Sequence, residues 1–245
     1  MRLFGLIGYP LSHSFSKKYF AEKFEKESIT DCRYENFPIE SIGEISKLLK
    51  EHPNLEGLNV TIPYKEQVLP FLHSKNTIVE AVNASNCITI NNGKLRGHNT
   101  DVTGFEQSLQ PLLRPDHKKA LILGTGGASK AVEYVLHKKN IACHYVSRKQ
   151  QAGYFTYEQL TPALLADHTL IINTTPVGMF PSVNEAPSIP YEALTPSHYL
   201  FDLVYNPAKT LFLQKGEERG AAIKNGEDML LIQAEESWKI WNQDK

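Results

Sequence analysis

One short run constrains this chain more than any other: Lys119-Ala-Leu-Ile-Leu-Gly-Thr-Gly-Gly-Ala-Ser129, with Val146-Ser-Arg-Lys149 beyond it. Residues 120–123 are apolar throughout, the pattern of a strand buried on both faces. The run breaks into Gly124, Thr125, Gly126 and Gly127, and Ala128, Val132, Val135 and Leu136 then recur at helical spacing. A second apolar run covers 141–146. Strand, glycine turn, helix and strand make a βαβ unit of about 30 residues.

Gly124 lets the chain leave the strand tightly, and Gly126 and Gly127 let backbone N–H groups approach a pyrophosphate. The helix N-terminus then presents its partial positive charge to that anion. The pattern is G-x-G-G-A rather than G-x-G-x-x-G, and by itself it also suits an ordinary tight turn. The next strand end sharpens the reading. A dinucleotide lacking the 2′-phosphate is usually held there by Asp or Glu. Here Ser147, Arg148 and Lys149 supply a hydroxyl and two cations, which suits a 2′-phosphate and favours NADP over NAD.

The 245 residues, 41% hydrophobic and 22% charged, suffice for one large or two modest domains. A net charge of −1 creates no field that would hold nucleic acid or an anionic membrane. Cys32, Cys87 and Cys143 are widely spaced and odd in number, without metal-type spacing. They read as reduced thiols of a cytoplasmic protein. The apolar run 3–7 is too short for a signal segment, and no stretch reaches membrane-span length.

In chain order, 2–8 reads as a strand and 17–26 as a helix, with Ser14 and Ser16 at its start. One of these serines serves as an N-cap, and both hydroxyls together suit a small anion. Residues 33–37 read as a strand and 42–49 as a helix. In Gly57-Leu-Asn-Val-Thr-Ile-Pro-Tyr-Lys65, alternation sets Leu58, Val60 and Ile62 on one face and Asn59 and Thr61 on the other, about 7 Å apart. Pro63 ends the strand, and Lys65 projects from the first turn after it. A solvated edge strand is the plainer account of the same residues. Asn91-Asn92-Gly93 predicts a type I′ hairpin, whose returning strand delivers His98-Asn99-Thr100-Asp101. Asp101 opens a helix over 102–113. Residues 157–166 read as helical and 169–173 as a buried strand. The prolines at 181, 187, 190 and 196 mark an irregular loop suited to a lid. Strands at 199–204 and 221–224 follow, and a helix over 228–241 is expected to return to the first domain.

These pieces occur in a telling order: His13-Ser-Phe-Ser16, Asn59-Val-Thr-x-Pro-x-Lys65, Asn83 to Asn86, Asn99-Thr-Asp101, Gly124-Thr-Gly-Gly-Ala128, Asn173-Thr-Thr-Pro-x-Gly-Met179 and Gln233-Ala234. The chain resembles the shikimate dehydrogenase family from end to end. The resemblance implies an α/β fold: a discontinuous substrate-binding and catalytic domain (1–101 and 226–245) around a Rossmann-type NADP-binding domain (102–225). Both ligands would sit in an interdomain cleft that closes on binding. It implies reversible NADP-linked reduction of 3-dehydroshikimate to shikimate, a step of aromatic amino-acid biosynthesis, by a monomer or homodimer without a metal.

By position, Lys65 and Asp101 would be the catalytic pair, and Ser14 and Ser16 would hold the substrate carboxylate. Thr61, Asn86, Asp101 and Gln233 would contact ring hydroxyls with Asn59 in support, and Tyr205 would lie between substrate and cofactor. Gly124, Thr125, Gly126, Gly127, Ala128, Ser147, Arg148, Lys149, Leu203 and Gly226 would line the cofactor. Relatives acting on quinate or an amino-substituted ring, and a non-catalytic NADP-binding regulator, are the alternatives. The chain departs from the family by shortening between Lys149 and Tyr157, where a nucleotide-domain helix is expected to be missing. It also carries Ser147 where Asn is common and Thr125 where Ala is common.

Hydride reduction of a ketone leaves an alkoxide that needs a proton. An ammonium or carboxyl group within hydrogen-bond reach supplies it, while the cofactor carries the hydride chemistry.

Overall fold

The computed structural model describes residues 1–11 and 15–243. It divides into two units, residues 1–100 with the chain end from Ala234, and residues 101–233. The first unit runs β1 (Arg2–Gly8), α1 (Phe15–Lys26), β2 (Cys32–Pro38), α2 (Ile45–Glu51), β3 (Leu55–Val60), α3 (Tyr64–Gln67), β4 (Ser74–Lys75), α4 (Thr77–Val82), β5 (Cys87–Asn91) and β6 (Lys94–His98). Its mixed sheet has the order β2-β1-β3-β5-β6-β4. β1 lies parallel to β2 and β3, and β5 antiparallel to β3 and β6.

Strand alternation divides the core of this unit between two faces. Leu3 and Ile7 of β1 join Leu58 and Val60 of β3 on one. Phe4 and Leu6 join Phe20, Phe24, Ala234 and Trp241 on the other. Trp241 stacks 4.9 Å from Phe4 and donates its indole N–H to the Ile88 carbonyl at 3.0 Å. The hairpin after β5 turns through Asn92 and Gly93 with φ of 49° and 72°, the positive angles a type I′ turn requires.

Ile62 departs from the expected pattern. β3 stops at Val60, the chain turns towards Pro63, and Ile62 is 69% exposed rather than sharing the face of Leu58 and Val60.

The second unit runs α5 (Asp101–Leu109), β7 (Lys119–Leu123), α6 (Gly127–Lys138), β8 (Ala142–Ser147), β9 (Phe155–Thr156), α7 (Pro162–Asp167), β10 (Leu170–Asn173), β11 (Tyr199–Asp202), α8 (Leu211–Glu217) and β12 (Ala222–Lys224). α9 (Glu227–Gln243) follows, counted with this unit as far as Gln233. The sheet order is β12-β11-β10-β7-β8-β9, and every pairing is parallel. With β7 as first strand this is the order of the doubly wound dinucleotide-binding fold. All four residues of β10 and of β11 are buried, as a sheet covered on both faces demands.

The helix expected over 102–113 ends at Leu109 and gives way to a 3₁₀ turn over Gln110–Leu112, because Pro111 has no N–H to continue it. The expected helix over 157–166 is a 3₁₀ turn over Tyr157–Gln159 and then α7. Pro162 starts that helix, and the Thr161 side chain caps it. Residues 148–154 join β8 to β9 without a helix, where the shortening was expected to remove one. In the proline-marked loop, Ile189 and Leu194 are buried in the core, so this part of the loop is pinned rather than free to act as a lid. Among the described residues no helix is long and apolar enough to cross a membrane.

Candidate active site

In the second unit the polar loops gather at the carboxyl ends of β7, β10 and β11, beside the point where strand order reverses. Gly124 leaves β7 with φ of 103°, a region L side chains rarely adopt, and a Cβ there would stand 2.7 Å from the Thr175 side chain. Thr174 closes the junction, its hydroxyl and its backbone N–H donating to the Leu123 carbonyl at 2.7 and 2.9 Å. Gly126 is the N-cap of α6, and no side chain caps that end. In the first turn of this twelve-residue helix the Ser129 N–H donates to the Gly126 carbonyl at 2.9 Å, and the N–H groups of Gly127 and Ala128, without a side-chain cap, suit an anion. A Cβ on Gly126 would meet no protein atom within 4 Å. The cradle fits a dinucleotide phosphate.

At the end of β8 the buried Ser147 hydroxyl accepts from the Lys149 N–H at 3.1 Å, while Arg148 and Lys149 are exposed. The arginine charge reaches Tyr157, opposing the rise that burial imposes on that phenol's pKa. No carboxylate occupies residues 147–149, so a 2′-phosphate fits this rim as well.

Sequence reasoning missed Asp202, which holds the next loop. It is fully buried. Its carboxylate accepts from Asn173 Nδ2 at 2.9 Å, from the Val204 N–H at 3.0 Å and from the Thr210 hydroxyl at 2.6 Å. Burial pushes its pKa up to about 6 against the opposing effect of those donors. Leu203 and Tyr205 sit on the segment this network fixes. The Leu203 N–H donates to the Asn173 carbonyl at 2.9 Å, and burial raises the pKa of the half-buried Tyr205 phenol. Gly226 passes so close to Leu203 that a Cβ would stand 2.1 Å from its carbonyl oxygen. The signal for Asp202 was an acid at the end of an otherwise apolar strand.

Asp101 is the first residue of α5 and is buried; Gln233 of α9 is buried too, with Nε2 donating to the Leu230 carbonyl at 2.8 Å. α5 and α9 meet at Gly104, where a Cβ would stand 2.7 Å from the Met229 carbonyl.

In the first unit a buried polar chain underlies the predicted substrate residues. The Tyr34 hydroxyl donates to Asn59 Oδ1 at 2.8 Å and also bonds Ser16, while burial raises its pKa. Asn59 Nδ2 donates to Ser237 Oγ at 3.0 Å and to the Asn86 carbonyl at 3.3 Å. Ser237 lies 3.2 Å from the Thr100 hydroxyl. Asn86 completes the chain, accepting from the Thr100 N–H at 2.6 Å and donating to its hydroxyl at 3.0 Å. The structure thus joins Ser16, Asn59 and Asn86 through Tyr34, Ser237 and Thr100.

Thr61 donates its N–H to the Ile7 carbonyl at 3.0 Å and accepts from the Tyr64 N–H at 2.9 Å. Lys65 follows on α3, half-buried. Its carbonyl accepts from Ser85 at 2.8 Å, and α3 is anchored by Tyr64, whose hydroxyl donates to the Ile39 carbonyl at 2.6 Å. Ser14 lies outside the described residues.

The cysteine spacing had suggested no metal-ligand cluster. The fold nevertheless brings Glu133, His137 and Cys143 within 4.8 Å of one another by their ligand atoms, because the turn between α6 and β8 closes the gap in sequence.

Residues 6–88 match the family model described as shikimate dehydrogenase substrate binding domain. An NADP(+) shikimate dehydrogenase of Carboxydothermus hydrogenoformans is 35% identical over 98% of this chain and 91% of its own length. The crystal structure of shikimate dehydrogenase from Aquifex aeolicus superposes with a TM-score of 0.87 at 30% identity, over 99% of this chain and 92% of that one. A Thermus thermophilus shikimate 5-dehydrogenase, solved with NADP(H) and shikimate, gives a TM-score of 0.85 at 28% identity, over 98% and 93%. With one Rossmann-ordered unit, one mixed-sheet unit and this end-to-end likeness, the chain belongs to the shikimate dehydrogenase family.

Proposed function

We propose that the chain catalyses the NADP-dependent, reversible reduction of 3-dehydroshikimate to shikimate. The observation that carries the reading is the likeness over 98% of the chain to a relative of that name. It is supported by the uncapped α6 N-terminus and the cationic rim after β8.

Residues 102–225 hold the cofactor in this reading, and residues 1–101 with 226–245 hold the substrate. The N–H groups at the start of α6, with Gly124, Thr125, Gly126, Gly127 and Ala128, take the pyrophosphate. Ser147, Arg148 and Lys149 take the 2′-phosphate. Leu203 and Gly226 shape the nicotinamide end, and the bound nicotinamide supplies the hydride.

Ser14 and Ser16 bind the substrate carboxylate. Thr61, Asn86, Tyr205 and Gln233 read the hydroxyl pattern of the ring. Asn59 acts one step back, because Tyr34, Ser237 and Asn86 already occupy its amide. Lys65 and Asp101 handle the proton that the reduced oxygen takes up. One of them donates a hydrogen bond to the developing alkoxide and the pair passes a proton to it, so the two act as one device.

The reading places the enzyme in the cytoplasm, as a monomer or homodimer. It is tested by following NADPH absorbance with shikimate and NADP+, with quinate and NAD+ as comparisons. Turnover highest with shikimate and NADP+ supports it. Turnover of quinate alone, or of neither acid, overturns it.

A further inference from the structure

α6 and β8 carry a second polar cluster that the proposed reaction does not use. Ser129, Glu133 and His137 follow one another at four-residue spacing on α6, so they share one face. Cys143 and Tyr145 alternate on β8 and share the face turned to that helix. Two contacts align these columns. The Tyr145 hydroxyl donates to Glu133 Oε2 at 3.0 Å, and Cys143 Sγ lies 3.5 Å from His137 Nε2. One ligand atom from each of Glu133, His137 and Cys143 falls within 4.8 Å of the other two.

We propose that Glu133, His137 and Cys143 form a binding site for a borderline-soft divalent cation of the Zn2+ type, which ties the C-terminal half of α6 to the start of β8. The donor set selects the metal. A thiolate and an imidazole favour Zn2+ or Co2+, whereas Mg2+ and Ca2+ demand an all-oxygen shell. The geometry agrees. Zinc–sulfur and zinc–nitrogen bonds at a tetrahedral angle separate the two ligand atoms by about 3.5 Å, and Cys143 and His137 already stand 3.5 Å apart.

The charges agree as well, since one thiolate and one carboxylate together balance a divalent ion. Tyr145 occupies one Glu133 oxygen, which orients the carboxylate and leaves its other oxygen for the cation. A water completes a four-coordinate shell, as in zinc sites with three protein ligands. Cys143 stands near the start of β8, whereas Ser147 closes it, so the site lies at the opposite end of the strand from the proposed cofactor rim. The cation binds the thiolate, so the thiol proton is released on binding.

The test is titration of the metal-free full chain with Co2+ alone. A thiolate-to-cobalt charge-transfer band that saturates at one ion per chain and raises the melting temperature is the expected result. Cys143→Ser should abolish the band, and His137→Gln and Glu133→Gln should each weaken binding at least tenfold. All three variants should keep the wild-type activity without metal. If Cys143→Ser fails to fold, the His137→Gln titration carries the test. No band at millimolar Co2+, a band that survives in folded Cys143→Ser, or unchanged affinity in His137→Gln would each overturn the proposal.

Discussion

Replacing Asp202 by Asn probes how the second unit holds its loop over residues 203–206. The side chain is fully buried and accepts three hydrogen bonds. Asn keeps Oδ1, which receives Asn173 and Val204. The Thr210 hydroxyl, now facing an amide NH2, can turn to accept. The variant therefore removes the ionisation with little loss of bonding. Burial has moved the pKa of Asp202 from an ordinary 3.8 to about 6. Between those values the native state binds more protons than the unfolded chain, so the aspartate's contribution to stability declines as pH rises and is level above 6. Integrated from pH 4.5 to 7.5, the two pKa values give about 2 kcal/mol, by which Asp202→Asn should gain on the wild type. For a chain of this size that is about 4–8 °C in melting temperature. Paired thermal melts at the two pH values measure it, and histidine titrations common to both proteins cancel in the difference. A difference that stays flat with pH, or moves against the variant, would refute the reasoning.

Further outcomes follow from the same structure. Arg148→Ala should lower the preference for NADPH over NADH by about tenfold to a hundredfold, the loss of one charge-assisted contact, with NADH kinetics nearly unchanged; equal losses for both cofactors would remove the 2′-phosphate assignment. Lys65→Ala or Asp101→Ala should each lower kcat by about 10²–10⁴ while NADPH still binds, and the double variant should be far less than additively worse. Fluorescence titration with NADPH beside steady-state kinetics checks both statements. Tyr34→Phe leaves Asn59 Oδ1 without its 2.8 Å donor. It should cost about 1–3 kcal/mol, seen as a melting temperature lower by a few to about 10 °C.

Local chemistry made much of this molecule readable in advance. The apolar run before Gly124 and the Asn92-Gly93 turn each follow from interactions a few residues long. Ile62 was misplaced because alternation was extended two residues past the end of β3. The helix expected over 157–166 overlooked the restart that Pro162 imposes. The polar chain beneath the candidate site was harder to foresee. Tyr34 and Asn59 are 25 residues apart, and Asn59 and Ser237 are 178 apart, so the sheet and α9 alone bring them together. Asp202 did not stand out in the sequence because its burial is a property of the assembled sheet. Glu133 and His137 carried a helical ligand spacing, but Cys143 joins them through the α6–β8 packing.

In the proposed reaction this chain moves hydride from NADPH to the ketone carbon of 3-dehydroshikimate. The most direct test of that transfer supplies NADPH deuterated at the transferring position of the nicotinamide C4 and weighs the product by mass spectrometry. The expected product is shikimate carrying one deuterium, on the carbon that was the ketone, with about a hundredth or less as much from Lys65→Ala at equal time. Shikimate formed without deuterium, or no shikimate formed by the folded wild-type chain, would contradict it.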